Sequence, residues 1–279
     1  MSDAESPDSP DLSRLPPPQG AAAPARASEA YLPDSNWSYG HTVLVLVLGI
    51  VVGPLLFLIA VGIVGGAGST EDVPALALLA AQAVASLLAV VAVSRLRGSG
   101  SWRRDFGFEL EARHVWGIAA GMVLQVAVAL LTLPLVQMLS EDDRPQQEIA
   151  RLAAELANWE ILLFGVLVAV VTPVFEEIVY RGMLLGRLVK STSRRNAVLI
   201  SSAVFSLTHL LDPNAILVVP GLFIVGVVLG YLALRAGNIG LPIFAHMGTN
   251  GLAVILLAFG DELEELSETV EAVLTLLPL

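Results

Sequence analysis

Two adjacent carboxylates, Glu176 and Glu177, stand in an otherwise apolar run, Val-Thr-Pro-Val-Phe-Glu-Glu-Ile-Val-Tyr-Arg, which ends at Arg181. On a helix Glu177 and Arg181 are i and i+4 and share a face, whereas Glu176 projects about 100° away. The spacing predicts a division of labour: one carboxylate is neutralised by a guanidinium and the other is left for chemistry. Two later apolar runs offer partners, because Phe205 precedes His209 by four and His246 precedes Asn250 by four. Each pair shares a helix face. A carboxylate and an imidazole can hold a water and take its proton for attack on a carbonyl, while a second imidazole and an amide stabilise the oxyanion that forms. That chemistry is peptide hydrolysis, and it requires no cofactor. Glu176, His209 and His246 are equally the two-His, one-carboxylate set that holds a divalent metal such as zinc with one position open. Spacing alone permits both.

Other hydrolytic chemistries are disfavoured by residue type. The chain has no cysteine, which removes thiol nucleophiles, thiolate ligands and disulfides. No His-Glu-x-x-His run surrounds the glutamates, and the apolar segments contain no aspartates to form an acid pair. Ser201, Ser202 and Ser206 share one segment, but no motif marks any of them as a nucleophile.

The elements that must position these groups are membrane helices. Of 279 residues, 55% are hydrophobic and 15% charged, against roughly 25% charged in a soluble domain. Apolar segments fall near 41–64, 74–94, 115–139, 160–186, 197–211, 215–234 and 240–259, most of them close to the ~20 residues a spanning helix needs. The fold class is thus an all-α polytopic membrane bundle of seven to eight helices, the eighth being a short apolar stretch at 268–279 that reads as interfacial or partial. Within it, 1–40 reads as a disordered, acidic, Pro-rich tail, 41–114 as scaffold helices, 115–259 as the reactive core and 260–279 as an acidic C-terminal segment. A further amphipathic helix is expected over 145–159 at the outer interface. Gly226 and Gly230 make a Gly-x-x-x-Gly spacing suited to close helix packing.

Net charge is −11, yet all but two of the 15 Lys and Arg, Arg144 and Arg151, belong to one side of this layout. The positive-inside rule then places the N-terminus of a multi-pass protein in the cytoplasm, and the expected location is the plasma membrane of a prokaryote. The expected partners are the bilayer and a membrane-embedded or membrane-associated peptide or protein substrate, with no nucleic acid. If segments five and seven run parallel, His209 and His246 do not meet at one depth. Segment five is therefore expected to tilt or to stop short of crossing.

Glu-Glu-x-x-x-Arg at 176–181, Phe-x-x-x-His at 205–209 and His-x-x-x-Asn at 246–250, in this order on separate helices, resemble the CPBP family, the CAAX protease and bacteriocin-processing proteins also called Abi. The resemblance extends over roughly residues 115–259 and includes the type II CAAX prenyl endopeptidases. It implies an intramembrane endopeptidase in which Glu176 activates water with help from His209, while His246 and Asn250 polarise the scissile carbonyl. Glu177, Arg181 and Phe205 would be supporting residues. The family has been described both as glutamate-type and as metal-dependent, so the metal alternative stays open. Two other classes compete: a proton-coupled transporter, since Glu and His inside membranes also relay protons, and a non-catalytic immunity or scaffold protein.

Overall fold

The computed structural model describes residues 37–66, 73–138, 152–153, 156 and 159–276, and beyond Phe259 only the course of the backbone. Most of the expected tail, and all but Leu152, Ala153 and Leu156 of the expected amphipathic helix's interior, lie outside the described residues.

Every described element is helical, as lipid demands of chains that must satisfy their own backbone hydrogen bonds. Helix α1 spans Tyr39–Gly65 and α2 Ala75–Arg97; a short α3, Trp102–Phe106, and α4, Trp116–Gln137, follow. Then come α5, Trp159–Leu188, α6, Arg194–Thr208, α7, Val219–Ala236, and α8, Gly240–Leu276, which breaks at Phe259 with φ −134° and ψ 18°. Among the described residues six stretches are long and apolar enough to cross a membrane: α1, α2, Ala112–Leu135, α5, α7 and Gly240–Phe259. Large apolar side chains such as Ile63, Leu88, Leu130 and Leu162 face outward, the pattern of a surface solvated by lipid. The molecule is a helical membrane bundle.

The fifth apolar segment is the exception anticipated from the depth mismatch. Helix α6 has 15 residues, about 22 Å at ~1.5 Å per residue, short of the ~30 Å hydrocarbon core. It ends in two 3₁₀ turns, His209–Leu211 and Pro213–Leu217, before α7 begins. A seventh full span therefore reduces to a shorter helix that packs along α7, with Gly226 against Ser202 and Phe205 and Gly230 against Val198.

Two contacts fix α8, which bears His246, against its neighbours. Gly117 and Gly121 of α4 and Gly248 of α8 bring the two backbones together: a Cβ at Gly121 would run into Ala245 O, and one at Gly248 into Ile118 O. At the other end, the loop between α2 and α4 packs under α5. A Cβ at Gly182 would lie 2.8 Å from Phe106 O, and Ile239 N donates to Gly107 O at 2.9 Å.

That loop is built around one buried acid. Asp105 accepts from Ser94 Oγ (2.6 Å), Ser99 N (2.8 Å), Ser99 Oγ (2.7 Å) and Gly100 N (3.1 Å), and its carbonyl accepts from Trp37 Nε1 (2.6 Å). Bonds to a charged acceptor contribute about 1.5–3 kcal/mol each, and their donors are left buried when it goes. Asp105→Ala should therefore destabilise the protein by about 3 kcal/mol or more, read as a lowered thermal midpoint in detergent; an unchanged midpoint would show that the loop is held by its apolar contacts alone.

Candidate active site

The helix that presents the glutamates is not uniform. Helix α5 alternates α-helical Trp159–Val166, π-helical Leu167–Val171, α-helical Thr172–Glu177 and π-helical Ile178–Leu185 before closing with Gly186–Leu188. Pro173 lacks an N–H and enters at the first turn of the middle piece, directly after the wide turns, where the helical ladder is already interrupted. Wide turns leave carbonyls in need of donors, and neighbouring helices supply them. Asn250 Nδ2 donates to Val168 O at 3.0 Å, and Ser201 Oγ to Tyr180 O at 2.8 Å. Glu176 and Glu177 thus sit between two loosened stretches of one helix, each tied to another helix.

Glu177 is fully buried, and its Oε1 accepts from Arg181 Nη1 at 2.7 Å. Arg181 Nη2 donates to Gly226 O at 3.1 Å, and its guanidinium carbon lies 4.7 Å from the centroid of the Phe205 ring. The expected i, i+4 pair is present and welded to α7. The same Oε1 lies 2.8 Å from His246 Nδ1. A carboxylate already paired with arginine can only accept, so Nδ1 carries the proton. Nε2 of the same ring faces Glu176 Oε2 at 3.5 Å. His246 therefore bridges both glutamates, which the spacing along the chain did not reveal.

Glu176 has 15% of its side chain exposed, against none for Glu177, so the free carboxylate is the one that bound molecules can reach. His209 lies in the turn that ends α6. Its Nδ1 is 2.9 Å from Phe205 O, and a carbonyl only accepts, so Nδ1 is the protonated nitrogen and Nε2 is left as an acceptor. Phe205 organises the cluster: His209 and His246 both meet its ring edge-on, with centroids at 5.1 and 5.7 Å, and Tyr180 does so at 5.2 Å. Among the described residues no hydrogen bond or ion pair joins His209 to Glu176, and Asn250 spends one amide hydrogen on Val168 O. The structure gathers Glu176, Glu177, Arg181, Phe205 and His246 tightly, with His209 and Asn250 at the edge.

The arrangement does not fit the metal set. Among the described residues no group of three or more His, Cys, Asp or Glu side chains is placed to hold an ion. His246 Nδ1 is engaged by Glu177, and Glu176 with His246 Nε2 supplies only two donors.

The two remaining histidines have local duties. His41 Nδ1 accepts from Ser38 N and His114 Nδ1 from Glu111 N, both at 3.2 Å, reciprocal caps at helix starts.

Residues 158–252 match the family described as type II CAAX prenyl endopeptidase Rce1-like. The matched region resembles that family over about a third of the chain. It begins one residue before α5 and runs past Asn250, so it includes every candidate site residue and leaves α1, α2 and α4 outside. Over 88 residues the chain is 34% identical to the "Putative membrane peptidase YdiL" of Bacillus subtilis (strain 168), a match covering 32% of this chain and 34% of that protein. The match thus spans about a third of the length of that relative. No solved structure matches.

Proposed function

We propose that the chain is an intramembrane endopeptidase that hydrolyses a peptide bond of a membrane-embedded or membrane-associated substrate by water activated at Glu176. The single observation that supports this most is the linked set Arg181–Glu177–His246–Glu176, which aims one imidazole nitrogen at the more accessible carboxylate.

In this reading Glu176 takes a proton from water, and the oxygen adds to the scissile carbonyl carbon. The carbonyl electron pair moves onto its oxygen. That oxyanion accepts from an N–H at Nε2 of His246 and from the second amide hydrogen of Asn250. The C–N bond then breaks as Glu176 returns its proton to the departing amine, giving one carboxyl and one amine product. His209 Nε2, left as an acceptor, suits a relay that assists Glu176 once substrate closes the site. Glu177 and Arg181 orient His246, as a carboxylate orients the imidazole of a hydrolytic triad. No step requires a metal. The excess of Lys and Arg in alternate loops supports a cytoplasmic N-terminus.

The test is a comparison of peptide termini in membranes carrying wild-type protein or its His246→Ala variant. New termini that appear with the wild type and vanish with the variant identify substrate and activity together. A purified wild-type reaction whose rate is unchanged by a chelator fits the metal-free reading; loss on chelation with recovery on added zinc would overturn it. Flux of a solute across proteoliposomes without cleavage would favour a transporter.

A further inference from the structure

A cavity of about 40 Å³ lies between α1, α2 and α5, and its lining includes the polar residues Gln82, Ser86, Thr172 and Glu176 and the apolar Leu79 and Phe175. Gln82 and Ser86 belong to α2, outside the matched Rce1-like region and in a segment whose composition otherwise suggests packing alone. They are i and i+4, hence on one face of that helix. The helix is held close: a Cβ at Gly49 of α1 would meet Ser86 Oγ, and one at Gly53 would meet Ala85 Cβ.

Size and chemistry both select the occupant. A buried water occupies roughly 10–15 Å³ by this measure and needs two to four polar partners, whereas an apolar void of similar size stays dry. A space of about 40 Å³ is too small for a substrate side chain of any length, holds a small number of waters, and presents four polar side chains. Among the described residues the Gln82 side chain forms no hydrogen bond with another protein group, although a primary amide inside a span is costly to leave without one. An amide suits a bound water, since its carbonyl accepts one water hydrogen while its N–H donates to the water oxygen.

We propose that this cavity stores the water that Glu176 deprotonates and that Gln82 is its positioning residue. The inference rests on the peptidase reading. One water leaves the cavity in each turnover: Glu176 takes a proton, the oxygen forms the new bond to the carbonyl carbon, and the proton passes to the amine as the C–N bond breaks. In a site walled by lipid-facing helices, such a store removes the need to recruit water from bulk at each turnover.

Two measurements on the full-length protein in nanodiscs test it. Radiolytic hydroxyl-radical labelling reports ordered water beside a side chain. Phe175, on the cavity, should be oxidised at least five-fold faster than Phe164, which is buried in the adjoining apolar cluster and does not line the cavity. Gln82→Leu should lower the Phe175 rate at least three-fold. Equal rates at Phe175 and Phe164 in the wild type would overturn the water store whether or not the variant folds. In the cleavage assay Gln82→Leu should lower kcat at least ten-fold with KM within two-fold; an unchanged kcat would overturn the role of Gln82. Labelling of Phe175 in a wild-type protein that cleaves nothing would overturn the peptidase reading while the hydrated cavity stood.

Discussion

Glu176→Gln is expected to lower kcat for peptide cleavage by about 10²–10⁴-fold, the range that a positioned acid or base contributes. Glutamine keeps the volume and the oxygen but cannot take a proton from water. Its cost to the fold should be small, because Glu176 is partly exposed and its one ion-pair contact among the described residues is with His246 at 3.5 Å. KM should change little, since the carboxylate acts on water and not on the peptide. Steady-state kinetics and a thermal unfolding curve on the same preparation check both halves. If Glu176→Gln retains a third or more of the wild-type kcat, the base lies elsewhere, and Glu177 would be the next group to examine.

Breaking the Glu177–Arg181 pair from one side should be the most damaging change to stability. Arg181→Met leaves a fully buried carboxylate without its guanidinium, a situation that costs about 3–5 kcal/mol. Both side chains are at most 1% exposed, so neither water nor salt can take over the lost partner. Removing both charges is different: buried pairs replaced by apolar groups of similar volume are often neutral or better. Glu177→Leu combined with Arg181→Met should therefore recover most of the stability lost in Arg181→Met. Cleavage should not return with it. His246 Nδ1 then has no acceptor to fix its ring, and the loss of a carboxylate that orients a catalytic imidazole lowers kcat by up to about 10⁴-fold. A double-mutant cycle on thermal midpoints, with turnover measured for each member, separates the two roles. A double variant that regains full activity would show that Glu177 and Arg181 serve the fold alone.

The local part of the site was legible in the chain because helical periodicity is local. Glu177 and Arg181 pair at i, i+4 as their spacing predicts, and Glu176 points to a different surface. The apolar runs located the helices to within a few residues, since the length of a span is dictated by bilayer thickness. The shortness of α6 is one of the two alternatives, a tilt or an incomplete span, that the depths of His209 and His246 called for.

Relations between helices were not legible, because no local rule sets which neighbour a helix face meets or at what register. The π-helical stretches of α5 depend on donors, Asn250 and Ser201, that arrive from other helices. The contact of His246 with Glu177 joins residues 69 positions apart; it depends on how far α8 slides along α4, which the backbone contacts at Gly117, Gly121 and Gly248 decide. Gln82 appeared in the sequence as an isolated amide in a packing helix, and only the approach of α2 to α5 sets it beside Glu176. Composition and periodicity thus determined an all-helical membrane protein with one neutralised and one available glutamate. The tertiary structure decided which imidazole contacts them, because interhelical register is set by close packing of small residues and not by any property of a single helix.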